Sequence, residues 1–144
     1  MKMFSNYFLG LFSLYFLLFS PLKATEIIFS CPHGQIPFKV ELAKTPQERS
    51  KGLMNRETLE ADEGMLFLFP EPSAAIMWMK DTPLSLDMIF INKEGKILAI
   101  EENTIPHSLE HIGPIENTAQ VLEILGGVVQ KNNISNKCTV VVKK

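Results

Sequence analysis

Little in this chain announces a reaction. It has no Gly-x-Ser-x-Gly elbow, no glycine loop of the kind that cradles phosphate, and no nucleophile set beside a base, so the common signatures of acyl and phosphoryl transfer are missing. It also lacks a positive excess. Fourteen Lys and Arg against 16 Asp and Glu give a formal charge of −2, which removes the electrostatic footprint of a nucleic-acid binder. Its apolar run from Phe8 to Phe19 is twelve residues long and falls short of the roughly 20 that span a bilayer. There are two cysteines and one tryptophan, and no repeat, low-complexity tract or linker divides the chain.

What is present begins with an export signal in form. One Lys precedes the apolar run, and a Pro and small residues follow it up to Ala24, so residues 1–24 read as a signal peptide cleaved near Ala24. The alternative is an uncleaved anchor, the only route by which a membrane enters this reading. Loss of residues 1–24 removes two lysines and no acid, leaving 12 basic against 16 acidic residues and a formal charge of −4. Residues 25–144 suit a single domain that buries about two thirds of its unfolded surface. The expected location is the periplasm or the exterior. There Cys31 and Cys138 can pair, closing a loop of about 100 residues; two separate thiols are the alternative, since sequence says nothing about the distance a bridge demands.

Short runs rich in Ile, Val, Phe and Met recur between turn signals, at Glu26–Cys31, Ile36–Leu42, Met65–Phe69, Ala75–Met79, Leu86–Ile91, Ile97–Glu101, Val121–Leu125 and Cys138–Val142. That spacing predicts a mainly β, antiparallel barrel or sandwich of seven or eight short strands. Asn92-Lys93-Glu94-Gly95 predicts a hairpin, because Asn and Gly take positive φ at little cost. One helix is marked over about 45–52: Thr45 as cap, Pro46 in the first turn, Glu48 completing a capping box and Gly52 as a left-handed stop. A second helical turn is expected near Val128–Lys131. Asn103–Ala119, with Pro106, Pro114 and few large apolar residues, reads as a long irregular surface loop.

The stretch Ile76-Met77-Trp78-Met79-Lys80-Asp81-Thr82 sets charges and the tryptophan among residues suited to burial. In an extended strand Ile76, Trp78 and Lys80 share one face and Met77 and Met79 the other. A tight connection would bring Asp87 back beside Lys80. A partly buried ammonium needs a partner, for which Asp81 and Asp87 are the candidates. The plainer reading is a structural ion pair. The sharper one is a ligand pocket with Trp78 as apolar platform, Lys80 as anion contact, Asp87 as acceptor, and Asp81 and Arg56 nearby. Arg49 is expected on a solvated helix face.

Other chemistry has thinner support. Met54, Met65, Met77, Met79 and Met88 carry thioethers, which select Cu(I), but methionine is also a common core filler. His107 and His111 are four apart yet bracketed by prolines, and His33 stands alone, so no metal site is assigned and no cofactor is expected. Glu101 and Glu102, adjacent on a strand, point opposite ways and are expected in solvent.

Four motifs in order carry a family resemblance. They are Glu41-Leu-Ala-Lys-Thr45-Pro-Gln-Glu-Arg49-Ser-Lys-Gly52-Leu-Met54-Asn-Arg56, Gly64-Met-Leu-Phe-Leu-Phe69, Trp78-Met-Lys80-Asp-Thr82 with Leu86-Asp87-Met-Ile-Phe90, and Val121-Leu-Glu123. Over about residues 38–142 the chain resembles the family called domain of unknown function 192. The resemblance implies a small, mostly β exported domain and brings no settled activity. Lys80-Asp81-Thr82 departs from the family's Lys-Asn-Thr by adding a carboxylate, and Ser85-Leu86-Asp87 stands where the family has Pro-Leu-Asp, with this chain's proline moved to Pro83. The expected role is non-catalytic binding of a small polar or anionic molecule, or of an envelope component. Two other classes stay open, an envelope hydrolase using Asp81 or Asp87 as base and a Met/His copper carrier.

Overall fold

The computed structural model describes residues 24–143. The segment read as a signal peptide lies outside the described residues except for Ala24. Seven strands and two short helices follow one another: β1 (Thr25–Cys31), β2 (Gly34–Ala43), α1 (Pro46–Lys51), β3 (Glu63–Met77), β4 (Leu86–Ile91), β5 (Ile97–Glu101), β6 (Ile112–Leu125), α2 (Val128–Lys131) and β7 (Thr139–Val142). The strands form one sheet in the order β5-β4-β6-β3-β2-β1-β7. It curls until its two ends meet, with Lys96 bridging to Thr139 and the Val140 N–H donating to the Gly95 carbonyl at 2.8 Å. The chain is therefore mainly β and shaped as a curled half-barrel. Its pairings are antiparallel except β2 with β3, which is parallel because α1 provides the crossover between them.

Local sequence accounts for the junctions. The Thr45 hydroxyl accepts from the Glu48 N–H at 3.1 Å and the Glu48 carboxylate accepts from the Thr45 N–H at 2.8 Å, closing the capping box. At Asn92–Gly95 the Asn92 side chain accepts from the N–H groups of Glu94 and Lys96, and Gly95 turns the chain into β5. Cys31 and Cys138 are joined as a disulfide that ties the end of β1 to the entrance of β7.

Core residues alternate along the central strands into two clusters. Leu66, Ile89, Ile91, Leu122 and Ile124 pack on one side of the sheet with Phe29, Phe38, Val129 and Val140. Met65, Phe67, Met88, Phe90 and Val121 pack on the other with Leu53 and Met79. Strand β4 is buried at every position because it faces both clusters.

Two expectations are corrected. The runs at 65–69 and 75–79 belong to one strand, β3, interrupted by register shifts after Leu68, and it ends at Met77, so Trp78 and Lys80 lie beyond it in a turn. The irregular loop expected over 103–119 ends at His111; Ile112–Leu125 is a strand pairing with β3. This stretch shows no apolar alternation because its pairing with β3 is shifted repeatedly beyond Leu68, and in its first half Ile112 and Ile115 pack on the second cluster while Gly113, Pro114, Glu116 and Asn117 lie in solvent. Apolar positions spaced three apart leave no period-2 signal.

Candidate functional site

Three segments converge on the side of the sheet that carries Phe67 and Met88. The first is the end of α1. Gly52 closes it at φ 47° with its N–H on the Glu48 carbonyl (2.8 Å), and a Cβ there would come within 3.0 Å of the Phe67 ring, so the glycine lets Gly52–Met54 lie directly on β3. The second is the turn Trp78–Thr82. Met79 is buried and anchors it, the Asp81 carbonyl accepts from Asn55 N–H at 2.7 Å, and the Met79 N–H and Thr82 carbonyl are held by Ser108 and His107 at 3.0 Å each. The third is β6 at Glu123, held close to β3 because a Cβ on Gly64 would stand 2.5 Å from the Glu123 carbonyl oxygen.

Between them lies a cleft of about 30 Å³ lined by Met54, Phe67, Met77, Trp78, Lys80 and Glu123, with Arg49, Lys51 and Thr82 at its margins. Glu123 is its floor. Its register partners are Met65 on β3 and Met88 on β4, which present no polar group. The residue is 4% exposed, and removal from water alone pushes its carboxyl from 4.5 up to about 8. Among the described residues nothing hydrogen-bonds it, and no fully sealed side-chain oxygen lacks a partner, so this carboxyl reaches the cleft. Lys80 is exposed at the rim with its ammonium 5.4 Å from the centre of the Trp78 ring, a cation–π distance, and has no carboxylate partner among the described salt bridges. Arg49 is committed elsewhere: its guanidinium donates to the carbonyls of Lys44 and Leu68 (2.9 Å to the latter) and lies over the Phe69 ring.

Of the residues expected to form the site, Trp78 and Lys80 do stand together, and Asp81 carries an exposed carboxylate next to them. Asp87 does not join them. Side chains alternate on β4, so Asp87 points away from the Met88 face and under α2, where it accepts N–H groups from Asn103 (2.8 Å), Gly127 (3.1 Å) and Val129 (2.8 Å). It is a fully buried structural acceptor joining a loop to a helix start. Arg56 is paired with Glu41 through both of its terminal nitrogens (3.0 Å for the longer contact), which holds the Glu41 carboxyl below its ordinary value. That pair lies in a separate open groove of about 820 Å³, which shares Lys51, Gly52 and Met54 with the cleft.

Glu123 escaped the sequence reading because Val121-Leu-Glu-Ile-Leu125 looks like one more buried strand. The available signal was that a lone acid in such a run must be paired, neutralised or functional. His107 and His111 lie exposed in the 103–111 loop, whereas His33 bonds the Asn132 carbonyl at 2.9 Å, and no group of three His, Cys, Asp or Glu suited to a metal occurs among the described residues.

The profile of the family DUF192, described as an uncharacterized ACR, matches residues 29–142. No curated protein matches. Among solved structures, a protein from Sinorhizobium meliloti 1021, described provisionally as a transcription regulator, is 39% identical; the alignment covers 82% of this chain and 92% of that one, with a TM-score of 0.80. A protein of unknown function from Novosphingobium aromaticivorans DSM 12444 is 33% identical over 86% of this chain and 89% of that one, with a TM-score of 0.81.

Proposed function

Starting from the fact that the chain belongs to the DUF192 family, which is uncharacterized and lends it no activity, we propose that it is an exported protein that binds a small anionic molecule without transforming it. The observation that carries this reading is the unpartnered Glu123 carboxyl, buried on the sheet yet open to a cleft rimmed by Trp78 and Lys80. Buried polar groups are ordinarily satisfied, and one that is left open in a concavity beside a free cation is the arrangement small-ligand sites use. Asp87 has no part in binding, since both its oxygens are taken by backbone N–H groups. The same engagement argues against a hydrolase using it as base. The regulator description of the Sinorhizobium relative is not carried over to DNA binding, because the mature chain has four more acids than bases.

The test has two parts. Expression of the full chain in a Gram-negative host, followed by fractionation and intact mass, should give a periplasmic product that begins near Thr25. Native mass spectrometry of that product should show a small-molecule increment that Lys80→Ala removes while the melting temperature hardly moves. A large loss of stability in Lys80→Ala would assign the lysine a structural role instead. A second reading is favoured by one observation, that Met54 and Met77 line the same cleft as Glu123: a Cu(I) site. Titration with Ag(I) as a Cu(I) surrogate decides it, and a lack of binding at micromolar metal removes it.

A further inference from the structure

The chemistry of the cleft narrows what it accepts. Its free volume is only about 30 Å³, far below that of a pocket enclosing a whole ligand, so no more than a small head group enters and the rest of a ligand stays outside against Trp78. Its floor is a carboxyl that removal from water keeps protonated at neutral pH, and a protonated carboxyl has one O–H to give. The walls engage that proton in no hydrogen bond: Met54 and Met77 offer thioethers, Phe67 and Trp78 offer rings, and the Thr82 hydroxyl, which donates to the Lys80 carbonyl at 3.1 Å, makes no hydrogen bond with Glu123. Lys80 adds a second donor from the rim. Two donors, the Glu123 carboxyl at the floor and the Lys80 ammonium at the rim, line one small space whose other walls are mostly apolar.

We infer that the cleft takes a small monocarboxylate with an apolar body, its carboxylate accepting a hydrogen bond from Glu123 and facing the Lys80 ammonium while the body lies on the Trp78 ring. This rests on the binding reading above and specifies its ligand. A tetrahedral oxyanion fits less well, because it would call on a further donor such as the Arg49 guanidinium, which is spent on two backbone carbonyls and the Phe69 ring. Binding is then coupled to a proton. The charged groups that share the cleft with Glu123 are Lys80 from the turn and Arg49 and Lys51 from α1; Met65, Phe67 and Met88 on the flanking strands carry none. Once Glu123 ionises, its donor is lost and its charge repels the ligand. Affinity accordingly falls about tenfold for each pH unit above the value at which the free protein loses that proton.

The experiment is calorimetry or ligand-observed NMR with butyrate, phenylacetate and inorganic phosphate, at pH 6 and pH 9, on the mature protein and on Glu123→Gln, Glu123→Ala and Lys80→Met, each first checked for its fold by circular dichroism. The inference expects phenylacetate and butyrate to bind at pH 6 and to weaken at least tenfold by pH 9. Glu123→Gln, which keeps an N–H donor but cannot ionise, should bind at both pH values, whereas Glu123→Ala and Lys80→Met should lose at least tenfold at pH 6. Equal carboxylate affinity at pH 6 and pH 9 in the unmodified protein would overturn the role of the Glu123 proton. Phosphate binding that depends on Lys80, with no carboxylate binding, would overturn the ligand class and leave anion binding standing. No Lys80-dependent binding of any of the three at millimolar concentration would overturn both.

Discussion

Glu123→Gln should make the protein more stable, and by an amount that grows with pH. In the unfolded chain this carboxyl ionises at its ordinary value of 4.5; in the fold, burial between Met65 and Met88 raises it to about 8. Between those values the folded state binds more protons than the unfolded one, so stability falls as pH rises, and the fall ends once the folded group has itself ionised. At 1.36 kcal/mol per unit, the penalty is about 3 kcal/mol at pH 7 and approaches roughly 5 kcal/mol by pH 9. Glutamine fills nearly the same volume and cannot ionise, so the variant escapes the penalty. Urea denaturation at pH 5, 6, 7, 8 and 9, followed by far-UV circular dichroism and the fluorescence of Trp78, gives the curves. The expected result is a gap of no more than about 1 kcal/mol at pH 5 that widens to about 4 kcal/mol at pH 8. Curves that run parallel at all five values, or a glutamine variant that is the weaker one at pH 8, would refute the claim that this carboxyl is buried without a partner.

Three further predictions follow from groups placed elsewhere in the fold. Asp87→Ala leaves three N–H groups without their acceptor and should cost about 3–5 kcal/mol, seen as a lower urea midpoint, without weakening ligand binding in whatever fraction stays folded. Reduction of Cys31–Cys138, which spans 107 residues, should cost about 4–5 kcal/mol by the chain-entropy argument, measured as the shift in midpoint on adding dithiothreitol. Glu41→Gln should cost no more than about 1 kcal/mol, because the Arg56–Glu41 pair is a third exposed. Since Arg56 lowers the Glu41 carboxyl, that contribution is present above pH 4.5 and disappears as pH falls through the lowered folded value; a double-mutant cycle at pH 6 and pH 3 reads it.

How much of this was legible beforehand depends on whether the signal is local. The Thr45–Glu48 box and the Asn92–Gly95 turn involve contacts within five residues, and the sequence alone identifies both. The placing of Trp78 beside Lys80 also follows from nearness in the chain, even though the two sit in a turn and not on a strand face. Asp87 and Lys80 went wrong for a physical reason. Bringing them together assumed that the connection 81–85 simply folds back, whereas the alternation of β4 sends Asp87 through to the opposite side of the sheet. Glu123 could not be recognised as a floor because its isolation depends on Met65 and Met88 being its neighbours, and that follows from the strand order β4-β6-β3. The outer part of the β3–β6 pair was hidden for another reason, since register shifts along it space the packed Ile112 and Ile115 three apart and break the alternation by which strands are recognised.

The whole account depends on the state of one proton. Carbon-13 NMR of the protein labelled at glutamate Cδ, titrated from pH 4 to pH 10 with and without phenylacetate, observes it directly. The account predicts one carboxyl resonance, missing from Glu123→Gln, that titrates near 8 in the free protein and at a distinctly higher pH when the ligand is present. It is contradicted if every glutamate resonance titrates below about 5.5, or if the resonance assigned to Glu123 is indifferent to the ligand.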